Sequence, residues 1–384
     1  MTDYYIAADA AGGGDGLSTS DPLTLAEMVG TSGGKVKTDA PGNTFHVKAG
    51  TYDVNSTYLP TPNPGNKVGA EVVGYKTTPG DLDAKIATGS PQVFGTDLPL
   101  FEVSSDSRYI GIDGSFWSFR NLSFTSSANR PAYYARAYYS SYRNCHFVNT
   151  GSGGTRAWAT EADNSRNVFV GCSFRSTNSA NTQTCVKINT HHNFFGCYFE
   201  HANTSAEIMT FGGYGTVANC IFVGGGVGLY ASGNSSLQLY ANNTFYNQAT
   251  SGLQLRDNTG ITVTNNLFHT CSTGIDVLGQ SSSYDGMIAC IENNAYFNVT
   301  TPNSAYLNTL IVERDSITES SDPLTDAAGG DFSLVAGANS VGAAFPAQVP
   351  FLANGNHADV GALQKEAGAG GSFRRITLSG GFTG

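Results

Sequence analysis

The stretch FFGCYF, Phe194 to Phe199, sets a cysteine among aromatic residues, and variants of this phrase recur along the chain. The Phe residues that end successive copies are 23, 27, 25, 23, 23, 23 and 29 residues apart. A repeat of this length, made of short apolar segments, predicts a solenoid. The other copies are RNLSF, RNCHF, VGCSF, ANCIF, ANNTF, TNNLF and NNAYF, ending at Phe124, Phe147, Phe174, Phe222, Phe245, Phe268 and Phe297.

Within each unit, short alternating segments such as GLYA, GLQLR and GIDVLG begin at Gly228, Gly252 and Gly274. Turn clusters such as GNSS and DNTG separate them. A leucine-rich repeat needs a Leu/Asn consensus that is absent, and a propeller blade needs roughly 40–50 residues. Three short strands per unit are typical of a parallel β-helix. The predicted fold class is therefore all-β: a right-handed parallel β-helix solenoid.

The cysteine and the phenylalanine of each copy are two residues apart, so they share one face of a strand. We therefore expect Cys145, Cys172, Cys197 and Cys220 to form a buried internal stack that Asn243 and Asn266 continue. Zinc would need CxxC pairs or converging histidines, and a stack of thiols needs no disulfide bonds. The sequence thus predicts reduced cysteines, no metal and no cofactor.

Both ends of such a solenoid need closing. DPLTLAEMVG, Asp21 to Gly30, predicts a short capping helix with Asp21 or Thr24 near its N-cap. This divides the chain into an N-terminal strand and capping segment (1–43), the β-helix (44–330), an irregular C-terminal cap (331–364) and a Gly-rich tail (365–384). In the tail, the island FRRITL suits a strand added to a partner's sheet edge, with Arg374 and Arg375 as contacts; the alternative is a disordered terminus.

Composition agrees with an all-β chain that has many tight turns. Of 384 residues, 47 are Gly, only 13% are charged and 11% are aromatic, more than a disordered chain carries. A net charge of −10 argues against nucleic acid as the main partner. The sequence contains no apolar run of about 18 residues, the length that a membrane-spanning helix needs. Its opening, MTDYYIAADAAGGGDG, does not have the pattern of a signal peptide. Either a leader has been removed or the protein folds in the cytoplasm.

Three segments resemble the pectate-lyase-like superfamily of right-handed parallel β-helices. The opening YYIAADAAGGGDGLSTSDPLTLAEMV resembles its start, and HVKAGTYDV resembles a characteristic early strand. DFSLVAGANSVG with ADVGALQ resembles its closing pattern. The resemblance implies the fold and leaves the activity open, since the superfamily includes lyases, glycosidases, phage tailspikes and structural proteins.

The resemblance implies a polysaccharide-cleaving site only if the matching residues are present. A polygalacturonase-type site needs an adjacent Asp pair and an RxK motif, and neither occurs in this sequence. The densest polar cluster lies between Ala157 and Glu207 and includes Arg166 and His191. Within it, Glu161, Asp163 and Lys187 are the catalytic candidates, with a carboxylate as acid or base and the lysine stabilising negative charge. The alternative is a solvated face with scattered charges.

AYYARAYYSSY, Ala132 to Tyr142, predicts a contact surface, because alternation places about half of its tyrosines outside. Tyr134, Arg136 and the nearby Trp158 are the candidate contacts with a glycan or a protein partner. The alternative is that these large side chains shield the edge of the coil.

Two functions remain open. The first is a virion-associated structural or recognition protein, such as a phage decoration, fibre or tailspike-like protein, that contacts virion proteins, identical subunits or surface polysaccharide. It implies a virion or extracellular location. The second is a polysaccharide lyase or glycoside hydrolase, which requires carboxylates and a cationic base in one groove.

Overall fold

A computed structural model describes the chain over 2–29, 34–35, 42–54, 69–82, 97–105, 111–128, 131–152, 156–160, 166–232, 236–256, 259–278, 288–304, 310–344 and 359–363. Short strands and tight corners fill almost all of these ranges. A helix, Leu25–Val29, interrupts them near the start. Thr24 and Glu27 form its capping box: the Thr24 hydroxyl accepts the Glu27 amide at 3.2 Å, and the Glu27 carboxylate accepts the Thr24 amide at 2.8 Å.

Three parallel sheets form the walls, with 12, 11 and 9 strands. Sheet 1 contains Asp3–Ile6, Thr44–Lys48, Glu71–Tyr75, Ser118–Arg120, Ser141–Arg143, Asn167–Val170, His192–Phe195, Gly215–Ala218, Ser236–Ala241, Thr259–Thr264, Ile288–Glu292 and Leu310–Arg314. Sheet 2 contains Gly50–Asp53, Pro99–Val103, Ser123–Ser126, His146–Asn149, Ser173–Ser176, Tyr198–His201, Ile221–Gly224, Thr244–Tyr246, Leu267–His269, Ala295–Phe297 and Ile317–Thr318. Sheet 3 contains Gly111–Ser115, Tyr133–Tyr138, Trp158–Thr160, Val186–Ile188, Glu207–Phe211, Val227–Ala231, Ser251–Leu255, Thr273–Val277 and Thr301–Ser304.

The chain passes from sheet 1 to sheet 2 to sheet 3 and then returns to sheet 1 one coil higher. Each strand pairs in parallel with its equivalents in the neighbouring coils; Phe174, for example, lies beside Phe147 and Phe199. This architecture is a right-handed parallel β-helix, as the sequence predicts. The first strand, Asp3–Ile6, already belongs to sheet 1, and an antiparallel hairpin, Leu324–Asp326 with Asp331–Leu334, follows the last coil.

The repeated phenylalanines form a continuous aromatic ladder inside sheet 2. It runs from Tyr52 to Tyr296, and each ring stacks on the next with centroids 4.7–5.4 Å apart. The glycines that open segments of sheet 3 leave room for these rings. A Cβ on Gly228 would lie 2.8 Å from Phe245 Cδ1, and one on Gly274 would lie 2.7 Å from Tyr296 Cε1.

The predicted cysteine ladder is confirmed, and asparagine continues it. From Cys172 onward, each side chain at this position donates a hydrogen bond to an inward residue's carbonyl on the sheet 1 strand one coil below. Cys220 Sγ reaches Phe194 O at 3.7 Å, and Asn243 Nδ2 reaches Val217 O at 2.9 Å. Cys145, Cys172, Cys197 and Cys220 are buried and free of disulfide bonds. Cysteine and asparagine are therefore alternative solutions to one packing environment.

Burial raises the pKa of the Cys145 and Cys197 thiols well above its ordinary value, so neither supplies a reactive thiolate. In a thiol titration of the native protein, we expect none of the four ladder cysteines to react. Cys290, which is partly exposed, sets the upper limit of native labelling at one thiol. Denatured protein should expose all 7. Rapid native labelling of Cys145, Cys172, Cys197 or Cys220 would contradict the ladder.

Corners between sheets use left-handed backbone, which turns the chain in a single residue. Between sheets 1 and 2, Asn144, Asn219, Asn242 and Asn265 have φ of 52° to 57°. Asparagine tolerates this conformation better than most residues. Of the 12 non-glycine residues with positive φ in the described ranges, 8 are asparagine. A bulky residue at such a corner therefore needs a separate explanation.

The C-terminal segment folds back over the outside of sheet 2. The amides of Gly361 and Ala362 donate to Asn265 O at 2.9 Å and Thr244 Oγ1 at 3.0 Å. The Phe332 ring packs edge-on against Tyr246 at 5.6 Å. As a result Ile221, Leu267 and Ala295 are buried although they lie on the outer face of the sheet.

Within the part of the chain that the structure describes, we find no helix with the length and apolar character of a membrane span.

Candidate recognition surface

Of the three predicted catalytic residues, the structure describes Lys187. Glu161 and Asp163 lie outside the described residues, as do Arg374 and Arg375. Lys187 lies on sheet 3 between the buried residues Val186 and Ile188, so its half-buried side chain faces outward. Its neighbours in register are Ala159 one coil below and Thr210 one coil above.

Of the predicted contact residues, Tyr134, Arg136 and Trp158 all lie on strands of sheet 3. Tyr134 pairs with Gly111 and Ala159, and Trp158 pairs with Tyr133. Elsewhere in the tyrosine run, Tyr133 and Tyr142 are buried, and their hydroxyls lie 3.2 Å apart. Tyr139 is half exposed, at the corner that follows the sheet 3 strand. The run therefore supplies both core and surface.

Tyr139 belongs to an exposed row at the corner between sheets 3 and 1. The row has one residue from each of five successive coils, and we call it the aromatic–cationic strip. Phe116 stacks on Tyr139 with ring centroids 5.3 Å apart. The Arg166 guanidinium carbon lies 5.8 Å from the Tyr139 centroid, and His191 stacks on Tyr214 at 4.6 Å. The members in order are Phe116, Tyr139, Arg166, His191 and Tyr214.

The aromatic rings of the strip are unusually open to solvent. Phe116 and Tyr139 are each 50% exposed and Tyr214 is 38% exposed, and with Leu17 they are the exposed large hydrophobic residues of the described ranges. With coils about 4.8 Å apart, five coils span roughly 19 Å. A solvent-exposed aromatic row of this length is typical of an interaction surface.

The backbone beneath the strip is strained. Phe116 has φ of 63° and Tyr139 has φ of 53°, the left-handed conformation that asparagine adopts at the other corners. A bulky side chain in this region is an outlier that costs on the order of 1–3 kcal/mol. Core packing does not explain it, since both side chains are half exposed and lie outside the core. Such strain indicates a function for the exposed rings.

Buried residues directly after the strip hold the corner in place. The Ser140 hydroxyl accepts the Trp117 amide at 3.2 Å, and the Asn167 side-chain oxygen accepts the Ser140 amide at 2.9 Å. Each buried group is thus tied to the next coil. These hydrogen bonds link the coils directly beneath the strip.

Arg166 carries the formal charge of the strip at neutral pH. Burial, and secondarily the nearby Arg166 guanidinium, lowers the pKa of His191, which keeps that imidazole neutral. The described residues place no carboxylate against Arg166. The strip therefore combines three aromatic rings, a neutral imidazole and one available cation.

A second polar surface lies on the outside of sheet 3. Thr210, the register neighbour of Lys187, donates to the Glu207 carboxylate at 2.5 Å, and Thr184 donates to it at 3.4 Å. Further up, Asp276 accepts a bond from Gln254 at 2.9 Å. These carboxylates are already engaged by neutral donors. Within the described ranges, no group of three or more His, Cys, Asp and Glu side chains is arranged to hold a metal ion.

Sequence reasoning placed Arg166 and His191 in a polar cluster and missed Phe116 and Tyr214. A signal was present. Every strip residue stands eight positions before the phenylalanine of its own copy of the repeat: 116 before 124, 139 before 147, 166 before 174, 191 before 199 and 214 before 222. Aligning the copies on phenylalanine and reading outward positions would have found the row.

Comparisons with known proteins agree with the fold. The family described as "Right handed beta helix region" matches residues 108–286. The solved structure of pectate lyase Pel9A is similar over 95% of this chain and 97% of that chain, with a TM-score of 0.69 and 13% identity. A rhamnogalacturonan lyase is similar over 88% and 90%, with a TM-score of 0.55 and 12% identity. No curated protein sequence matches significantly. Identities this low establish the shared fold alone.

Proposed function

We propose that this right-handed parallel β-helix is a recognition protein, associated with a virion or located outside the cell, that binds an extended surface partner along the aromatic–cationic strip. The observation that carries the proposal is the pair of exposed aromatic rings on left-handed backbone at Phe116 and Tyr139. The fold offers a less strained choice, asparagine, at the same kind of corner. The presence of aromatic residues there favours a binding role over a structural one.

Two further observations support recognition. The strip follows the solenoid axis, so it suits a linear ligand that contacts one coil after another. The absence of an adjacent Asp pair and of an RxK motif favours binding without cleavage. The tail residues Arg374 and Arg375 are proposed as contacts with identical subunits or virion proteins; deleting 365–384 tests that role through assembly.

The double variant Phe116→Asn/Tyr139→Asn separates binding from stability. Asparagine relieves the left-handed strain, so we expect the free energy of unfolding to stay within about 1 kcal/mol of the wild type or to rise. Binding to a panel of surface polysaccharides, measured by a glycan array and confirmed by calorimetry, should be lost. Both measurements use the full-length chain.

Asn144→Ala is the matched control, because it alters the same kind of corner between sheets 1 and 2, away from the strip. It should lower stability and leave binding intact. Unchanged binding by a correctly folded Phe116→Asn/Tyr139→Asn variant would contradict the proposal.

A polysaccharide lyase or glycoside hydrolase is the second candidate. The outward-facing Lys187 favours it, because its neighbour in register, Thr210, donates a hydrogen bond to the Glu207 carboxylate. In that case Glu161, Asp163 and Lys187 would supply an acid or base and a stabilising cation. An assay for new reducing ends or unsaturated products distinguishes the two functions. Cleavage that Glu161→Gln or Lys187→Ala abolishes would replace the recognition proposal.

A further inference from the structure

The corner between sheets 1 and 2 carries a row of asparagine side chains, several of which are paired. In the lower coils the Asn144 amide nitrogen donates to the Asn121 side-chain oxygen at 2.7 Å. In the upper coils the Asn293 amide nitrogen donates to the Asn265 side-chain oxygen at 2.8 Å and to Ala343 O at 2.7 Å. These amides therefore bind either the next coil or the returning C-terminal segment.

Two asparagines in the middle of the row make no such bond. Asn242 is fully buried, and neither its side-chain nitrogen nor its side-chain oxygen has a hydrogen-bond partner among the described residues. Asn219, one coil below, is 6% exposed, and its side-chain oxygen also has no partner there. Buried amides of native proteins are nearly always hydrogen bonded. These two side chains therefore indicate a further partner at this corner.

The corner is covered at these two coils and open below them. Gly171 and Gly196 hold the equivalent position in the next two coils down; both are exposed, with nothing within 4 Å of a Cβ built on either. In contrast, Ala218 and Ala241, which directly precede the two asparagines and face outward from sheet 1, are fully buried. The stretch that needs a partner is thus two coils long and lies directly below the returning C-terminal segment.

That segment runs toward this stretch as it leaves the described part of the chain. The Gly361 amide donates to Asn265 O at 2.9 Å. The next amide, that of Ala362, donates to Thr244 Oγ1 at 3.0 Å, one coil lower. The chain is therefore descending along the solenoid when it reaches the coil of Asn242, which lies two residues before Thr244.

A peptide backbone complements the two side chains. A peptide carbonyl can accept the Asn242 side-chain nitrogen while a peptide N–H donates to its oxygen. The Asn219 oxygen needs one further N–H. Three extended residues span roughly 10 Å, and neighbouring coils are about 4.8 Å apart, so residues 364–366 can reach both asparagines.

From these observations we infer that the chain continues its descent beyond the described residues, with the backbone of 364–366 hydrogen bonded to Asn242 and Asn219. The inference goes beyond the recognition proposal and does not depend on it. It makes the first residues after the C-terminal cap part of the folded solenoid. It also fixes the place from which the rest of the tail, with Arg374 and Arg375, leaves the surface.

Hydrogen exchange followed by mass spectrometry on the full-length protein tests this contact. We expect the amides of 364–366 to exchange at least about tenfold more slowly than the same sequence in an unfolded chain. The variant Asn219→Gly/Asn242→Gly should remove that protection. Glycine already occupies this corner in two coils, with φ of 60° and 59°, so the variant deletes both side-chain amides without straining the backbone.

Asn144→Gly is the matched control, because it removes an amide from the same corner whose partner is Asn121. It should leave the exchange of 364–366 unchanged. A second measurement uses thermal unfolding. Deleting 364–384 should lower the midpoint, whereas deleting 371–384 should not. In the chain that ends at Leu363, Asn219→Gly/Asn242→Gly should shift the midpoint less than in the full-length chain, because the partner is already gone.

Unprotected amides at 364–366 in the wild type would overturn the inference. Protection that persists in a folded Asn219→Gly/Asn242→Gly variant would also overturn it. Protection that disappears on dilution would place the tail on a second copy of the chain, which contradicts the intramolecular contact. The recognition proposal stands in each of these cases, because the strip lies at a different corner.

Discussion

Phe199→Ala should destabilise the protein by about 3–5 kcal/mol, the range for removing a large side chain from a packed core. The Phe199 ring is fully buried and stacks between Phe174 and Phe222 with centroids 5.0 and 4.7 Å away. It also meets the edge of Phe194 at 5.6 Å. The truncation therefore leaves a cavity in the middle of the ladder and removes three aromatic contacts at once.

Denaturant unfolding monitored by circular dichroism measures this change. Phe195→Ala is the matched control, since Phe195 belongs to the same coil but lies partly exposed on the outside of sheet 1. It should cost well under half as much. Equal effects of Phe195→Ala and Phe199→Ala would show that the ladder has no special role in stability.

Asn266→Leu should destabilise the protein by roughly 2–4 kcal/mol, because a buried polar group that loses its partner costs about 1–3 kcal/mol. The Asn266 amide nitrogen donates to Tyr240 O and Thr264 O, both at 3.0 Å. Its side-chain oxygen accepts the Asn243 backbone amide at 2.9 Å. Leucine has a similar branched shape but can neither donate nor accept a hydrogen bond, so it leaves these backbone groups unsatisfied in the core.

Asn243→Cys is the control on the neighbouring coil. It extends the cysteine ladder by one position beyond Cys220, with a residue type this environment already accepts. We expect a smaller loss of stability than for Asn266→Leu, with thermal unfolding as the readout. A larger loss for Asn243→Cys would mean that cysteine and asparagine are not interchangeable at this position.

The inner ladders could be predicted from sequence because burial imposes a strict side-chain period. Phe147, Phe174 and Phe199 must face inward in every coil, so the repeat records them and fixes the position of Cys172 and Cys197 two residues earlier. The same argument explains the predicted fold class. Periodicity is strongest where packing removes alternatives.

The candidate surface was harder to predict because solvent accepts many residue types. Phe116, Arg166 and His191 occupy equivalent corners yet share no residue type, so no motif connects them. Their relation is a stack along the axis, which appears in the sequence only after the copies of the repeat have been aligned on phenylalanine. The left-handed backbone at Tyr139 is also invisible in a sequence where asparagine usually marks that conformation.

The returning C-terminal segment has a consequence for how the molecule opens. In a solenoid each coil touches only its neighbours, so unfolding ordinarily frays inward from either end. Here Gly361 and Ala362 bind the coils of Asn265 and Thr244, and Asn293 donates to Ala343 O at 2.7 Å. This strap ties several terminal coils into one cooperative block that must be released together. Unfolding should therefore begin at the N-terminal end. The coils that carry the strip lie between that end and the C-terminal block.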